Sequence, residues 1–262
     1  MASAHGTAMA ARLQAIQPTP AARARDWAEI QERTLVPLYD AVHQRLTVGQ
    51  GVSLLDLGCR SGLALLLAAG RGARVAGLEP DPELRELARA RRLWVTAGAP
   101  ATRTAHDAVT VFEPLRLAEQ PLRAAQEAAR LVPLGGLVAL AALGPEQDCQ
   151  SAAVLEVARR RGGPRKVADP FGLSGPGELP ALLAGAGLRL VASSTVTCPF
   201  GYPDPDSAVR GLLATGWFDA AIAYAGAAPV AKEVAEALHP FTRADDTVWL
   251  ANTFRYVIGR RT

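Results

Sequence analysis

Residues 54–66 read LLDLGCRSGLALL, an apolar strand that breaks into a glycine turn and restarts at once as an apolar helix. That order is the opening unit of a strand–helix–strand repeat, and it narrows the chain to sheets whose neighbouring strands run parallel. Arg60 stands inside the turn. A glycine there lets the backbone lie against a ligand, whereas arginine brings a long side chain and a permanent positive charge.

The rest of the chain keeps the alternation. A helical region over residues 26–46 precedes the strand at 53–57 and the helix at 63–69. RGARVAGLE supplies the next strand, and Asp81 followed by Pro82 is a helix start, a capping acid before proline at the first helical position. RRLWVTAG and DAVTVFEP read as two further strands, residues 117–131 as a helix of period 3.6, GGLVALAAL as the fifth strand and residues 146–161 as a helix. Ser174 opens a turn into ELPALLAGAG, and LRLVASSTVTCPF forms a strand. A helical insertion over residues 204–238 comes before the closing strand TVWLANTFRYVIG. The pattern is α/β, a sheet covered by helices on both faces. Residues 1–25 are expected to be a flexible N-terminal segment, and residues 26–262 one domain with residues 204–238 as a helical lid.

At 262 residues with 49% hydrophobic residues the chain buries a full core, which excludes disorder on the scale of the whole sequence. Its net charge of +3 comes from arginines scattered among acids, with Lys166 and Lys232 the only lysines and aromatics at 5%, so the basic stripe with interleaved aromatics of a nucleic-acid binder is missing. Cys59, Cys149 and Cys198 are odd in number and widely spaced, which gives neither a disulfide framework nor a zinc site. The first residues lack a signal-type apolar run, and no segment reaches eighteen uninterrupted apolar residues. A soluble cytoplasmic protein with no metal, no nucleic-acid partner and no membrane contact is expected.

In an open sheet of this kind ligands sit outside the carboxyl ends of the strands. Four stretches end there: residues 58–62 after the first strand, Glu79 after the second, the loop after Val95, and Glu113 after the fourth. Glu79 lies 21 residues beyond Gly58, the spacing at which an acid reaches a ribose from the tip of the second strand. His106 and Asp107 belong to the opposite end of the fourth strand and read as structural.

On LLDLGCRSG, GLEPDPELRELAR, AAQEAARLVPLGGLVAL, GELPALLAGAGL and LANTFRYVIGR, in that order and spacing, the chain resembles the class I S-adenosylmethionine (SAM) methyltransferases over residues 27–260. The likeness is to the small-molecule, type 11-like branch. It implies a doubly wound, mainly parallel seven-stranded Rossmann-like sheet, with Asp56, Gly58, Gly62 and Glu79 on the cofactor. Three positions depart from the family. Arg60 replaces the middle glycine of D-x-G-C-G-T-G, Ala99 stands where an acid commonly meets the adenine amine, and the stretch between Glu79 and Asp107 is short.

SAM carries a sulfonium cation, and at ~4 Å in an effective dielectric near 20 a second cation repels it by roughly 4 kcal/mol. Arg60 therefore either points away from a normally bound SAM or serves an anionic group that its planar fork matches. Glu113, in VFEP, is the candidate general base. Trp27, Tyr39, Arg210 and Trp217 are candidate pocket and lid residues enclosing a small, partly apolar substrate.

Two activities stay open. In the first, similar to the methyltransferase-like aziridine-forming proteins of azinomycin-type antibiotic pathways, SAM is not used. There Arg60 steadies an anionic leaving group such as sulfate while Glu113 takes a proton from the attacking amine, the substrate being a small or carrier-protein-bound amino-acid derivative and a small partner subunit being implied. In the second, SAM is the methyl donor to a small-molecule oxygen, nitrogen or carbon.

Overall fold

The computed structural model describes residues 19–98, 105–112, 120–163 and 169–262. Among these the strands are β1 (Ser53–Leu57), β2 (Arg74–Leu78), β3 (Val95–Thr96), β4 (Ala108–Val111), β5 (Leu137–Leu143), β6 (Leu188–Thr197), β7 (Phe200–Tyr202), β8 (Val248–Leu250) and β9 (Thr253–Arg261). Seven form one sheet in the order β3-β2-β1-β4-β5-β9-β6, and β7 pairs with β8 apart from it. The β1–β2, β2–β3, β1–β4 and β4–β5 pairs are parallel, while β9 runs antiparallel between β5 and β6.

The helices are α1 (Pro20–Asp26), α2 (Val36–Arg45), α3 (Leu63–Gly70), α4 (Pro82–Ala90), α5 (Pro121–Arg130), α6 (Ser151–Arg161), α7 (Glu178–Gly185), α8 (Pro205–Leu213), α9 (Asp219–Ala225) and α10 (Ala227–Leu238). Burial on both faces explains why β1 reads as a nearly continuous apolar run. Leu54 faces a core shared with Leu38, Val42, Leu65 and Phe112, and Leu55 faces the opposite core with Val109, Leu140 and Leu183. Asp107 ties the amino ends of β1 and β4 together, its Oδ2 accepting from Ser53 N at 2.8 Å and Ser53 Oγ at 2.7 Å.

The elements that differ from the sequence reading include LRLVASSTVTCPF, which ends as β6 at Thr197 and restarts as β7 in the other sheet. The helical start lies earlier than residue 26, because Thr19 Oγ1 accepts the Ala22 N–H at 3.2 Å and α1 begins at Pro20. Residues 26–46 are the helical region expected, built in more than one helical form: a π-helical turn (Trp27–Gln31) and a 3-10 turn (Glu32–Leu35) join α1 to α2. Pro37 accounts for the restart, since it has no N–H to donate and is accommodated only in the first turn of a helix. The third strand shrinks to two residues, as Arg92 takes a left-handed φ of 62° after α4. The closing strand divides at Asn252, whose Oδ1 accepts Ser151 N at 3.1 Å and whose carbonyl accepts Cys198 N at 2.8 Å. These bonds hold the chain at the start of α6, so β8 and β9 pair with different partners.

The candidate cofactor loop and its N-terminal cover

The turn after β1 lies at the carboxyl end of the parallel strands. Gly58 (φ 69°), Arg60 (φ 52°) and Gly62 (φ 85°) all take left-handed conformations. Gly62 is obligatory, because a Cβ there would stand 2.4 Å from Leu93 Cδ1. Arg60 has the same backbone conformation with a side chain, at a cost on the order of 1–2 kcal/mol.

What holds Arg60 there is visible on both sides of its Cα. Its N–H donates to Glu79 Oε2 at 2.8 Å, while Glu79 Oε1 accepts Asp81 N at 2.9 Å. Burial pushes the Glu79 carboxyl above its ordinary range, and the N–H groups of Asp81 and Arg60 draw it part of the way back. The Arg60 guanidinium lies over the Trp27 ring, 4.7 Å from its centroid, and Nη2 donates to the Thr215 carbonyl at 3.2 Å. One side chain thus joins the loop to the N-terminal segment and to the end of α8. A guanidinium over an indole contributes ~0.5–1 kcal/mol when exposed and more when desolvated, enough to offset much of the backbone cost.

Glu32 makes a second connection. Its carboxylate, 1% exposed, accepts from Ser61 Oγ at 2.5 Å, from Arg91 Nη1 at 3.0 Å and from Leu63 N at 3.3 Å. Arg91 Nη1 also donates to the Ser61 carbonyl at 2.9 Å. A carboxylate at the first N–H groups of α3 matches the positive end of the helix dipole, here supplied from within the chain. Burial raises the Glu32 carboxyl, opposed by Ser61, Arg91 and Leu63.

The expected site residues fall into three groups. Arg60, Gly58, Gly62, Glu79 and Trp27 come together around the loop. Asp56, at the end of β1, is buried and accepts Thr110 Oγ1 at 2.8 Å, so it also ties β1 to β4. Tyr39 packs on Phe112 at the end of β4, ring centroids 4.9 Å apart, and Trp217 is buried two residues beyond Thr215. Arg210 stands apart: exposed on α8, it pairs with Asp26 of α1 and braces the cover from outside. Glu113 and Ala99 lie outside the described residues.

The insertion over residues 204–238 is less a free lid than a wall. Gly211 packs under Ile30, α9 and α10 pack on α6, and just before the insertion Tyr202 Oη of β7 donates to Gln31 Oε1 at 2.7 Å. Sequence reasoning missed Glu32, Ser61, Arg91 and Thr215. Thr215 acts through its backbone carbonyl, which leaves no residue signal, but the acid at Glu32 among the apolar positions of residues 27–42 was a readable one.

Cys59, Cys149 and Cys198 are free and buried, and among the described residues no cluster of metal-ligating side chains occurs. No helix of the described residues is long and apolar enough to cross a membrane.

Comparison with known proteins places this geometry. A family model described as a methyltransferase domain matches residues 55–140. No curated protein matches the chain. Among solved structures, the SAM-dependent methyltransferase of Geobacter sulfurreducens in complex with S-adenosyl-L-homocysteine is similar with a TM-score of 0.53 at 17% identity, over 88% of this chain and 92% of that one. The [4+2]-cyclase SpnF gives 0.52 at 19%, over 86% and 80%. The chain in complex with the Trm112 methyltransferase activator of Haloferax volcanii gives 0.54 at 21%, over 94% and 99%. The protein therefore has the fold of the class I SAM-dependent methyltransferases.

Proposed function

We propose that this methyltransferase-fold chain is a biosynthetic enzyme that closes a ring within a small amino-acid-derived substrate without taking SAM as methyl donor. The observation that carries the reading is Arg60, whose guanidinium is set between Trp27 and the Thr215 carbonyl above the loop. A fixed cation there opposes a sulfonium and favours an anion. Glu79, the acid placed for a ribose, has each oxygen engaged by a backbone N–H of Arg60 or Asp81. Glu32 likewise fills the start of α3 with the chain's own carboxylate. These residues fit SAM poorly, and the proposed reaction does not use it.

In the proposed reaction an amine nitrogen attacks the carbon that bears the leaving group. The C–N bond forms as the C–O bond breaks, the anion, sulfate for instance, leaves with the electron pair, and the ring nitrogen gives its proton to Glu113. Arg60 stabilises the negative charge that grows on the departing oxygen. SpnF supports the class of chemistry, as a cyclase on the same fold. The Trm112 complex supports the idea of a small partner subunit, and a carrier-bound substrate is compatible with both.

A second reading, SAM-dependent methyl transfer to a small molecule, is favoured by the retained left-handed Gly58 and Gly62 and by the relative holding S-adenosyl-L-homocysteine. Titration calorimetry with SAM and S-adenosyl-L-homocysteine decides between them. Ring closure expects no saturable binding by the wild type and gain of binding in Arg60→Gly. Tight wild-type binding would transfer the assignment to the methyltransferase. With a cyclising substrate in hand, Arg60→Ala should lower kcat by about 10²–10³. Glu113→Gln should lose most at low pH, where the amine is protonated, and least at high pH.

A further inference from the structure

The sheet face covered by α5 and α7 holds a second arginine whose charge is handled differently. Arg255 lies on β9, directly opposite Ala142 of β5 and Thr195 of β6. Two residues along the same strand, Val257 belongs to the core of that face, and the intervening Tyr256 belongs to the other. Arg255 is half-buried, and among the described residues its guanidinium makes no hydrogen bond or ion pair. A charge in that position loses hydration without a partner inside the fold to compensate it.

Arg255 instead lines a cleft of ≈ 240 Å³ with Ser193, Thr195, Leu179, Gly175 and Pro176. Ser193 and Thr195 pair directly with Val257 and Arg255, so their side chains stand on the cleft face. The adjoining start of α7 has no side-chain cap, and its first N–H groups add positive potential to the rim. Glu178, exposed at that start, lays its side chain beside Gly175 at the rim and forms no ion pair with Arg255. The donors therefore comprise a planar fork and two hydroxyls from the next strand. A carboxylate is satisfied by the fork alone. A tetrahedral group offers further oxygens to the hydroxyls, while Leu179, Pro176 and Val257 provide an apolar wall for an attached stem.

We infer that this cleft binds one tetrahedral oxyanion, phosphate or sulfate, free or as the monoester end of an organic stem, through Arg255, Ser193 and Thr195. The site is distinct from the loop. Between β1 and β9 lie β4 and β5, so the strand that leads into the Arg60 turn and the strand that carries Arg255 are about 14 Å apart at the usual spacing.

The test is calorimetric titration of the full chain with inorganic phosphate, sulfate and phosphoserine, using Arg60→Ala as the background so that any anion held at the loop is removed. Saturable binding is expected in that background, weakened at least about tenfold by Arg255→Gln. Arg255→Lys, which keeps the charge and loses the fork, should fall between. Ser193→Ala with Thr195→Val should weaken it several-fold, in protein shown to be folded by near-ultraviolet circular dichroism. Tighter binding of phosphoserine than phosphate identifies a monoester as the ligand, and equal binding identifies the free ion. Unchanged affinity in Arg255→Gln, or no saturable binding of any of the three in the folded background, would overturn the inference. Loss of SAM-independent ring closure leaves these outcomes untouched, so the two readings fail separately.

Discussion

Arg60 follows the carboxyl end of β1 and Arg255 lies near the amino end of the antiparallel β9, at the same edge of one sheet, yet they live in opposite electrostatic settings. Around Arg60 the chain supplies an indole face, a carbonyl and the nearby Glu79, and beside it Glu32 answers Arg91 and the start of α3. Around Arg255 it supplies hydroxyls, apolar wall and open volume. A charge met from within is fixed in position and braces the elements around it, and a charge turned toward a cleft is set by the open volume it meets. On this view the N-terminal segment is part of the loop's architecture, and the β6–β9 flank is a binding surface.

The sharpest way to break that contrast is Glu32→Ala. Removing a buried acid leaves Arg91 and the first N–H groups of α3 without their partner, which should cost about 3–5 kcal/mol, read from chemical denaturation. A loss below ~1 kcal/mol would mean that the N-terminal cover is not coupled to the loop.

The same cover should show a pH signature through His43 on α2. It is fully buried, neither ring nitrogen has a hydrogen-bond partner, and burial, with Arg71 adding to it and Asp40 opposing, depresses its pKa to about 4. The unfolded chain binds a proton near the ordinary value of 6.5 while the folded chain does not. Stability is therefore full above 6.5 and falls as the pH drops from 6.5 toward 4, by up to about 3 kcal/mol. Glu32 and Glu79, both raised by burial, act in the other direction: their contribution declines as pH rises above 4.5. The difference between wild type and His43→Leu isolates the histidine, and denaturation midpoints with the same pH slope in both would remove it from this account.

A smaller effect separates backbone from side chain at the loop. Arg60→Ala loses the indole contact and keeps the left-handed strain, whereas Arg60→Gly relieves the strain, so the glycine variant should be the more stable by about 1 kcal/mol. The reverse order would show that the turn relaxes out of its left-handed form once the guanidinium is gone.

The smallest effects are expected at two arginines far from the loop's internal network. Arg255→Gln should change stability by only about 0.5 kcal/mol, and Arg210→Ala by about 1 kcal/mol, because its exposed guanidinium pairs with a buried Asp26. A large loss at Arg255 would reassign it from recognition to structure.

Much of the fold was legible before the structure. Short apolar runs, the Asp81–Pro82 cap and the glycine turn each report on neighbours a few residues away, and such signals survive in one dimension because the forces behind them are local. Gly58, Gly62 and Glu79 were readable for the same reason, through a required backbone conformation and a spacing fixed by strand and helix lengths. The π-helical turn, the divided closing strand and the shortened β3 were not, because each is decided by what a distant element offers: Asn252 leaves the strand to bond Ser151 and Cys198.

The chain's letters determined by themselves that a sheet of parallel strands with a ligand-type loop would form, and that a cation would stand in that loop. Only the tertiary structure decided where that cation points, that a buried acid 31 positions before Leu63 would close the helix start, and that Arg255 would face open space. The physical reason is that burial and pairing depend on packing partners far apart in sequence, and the energy of a charge depends almost wholly on those partners.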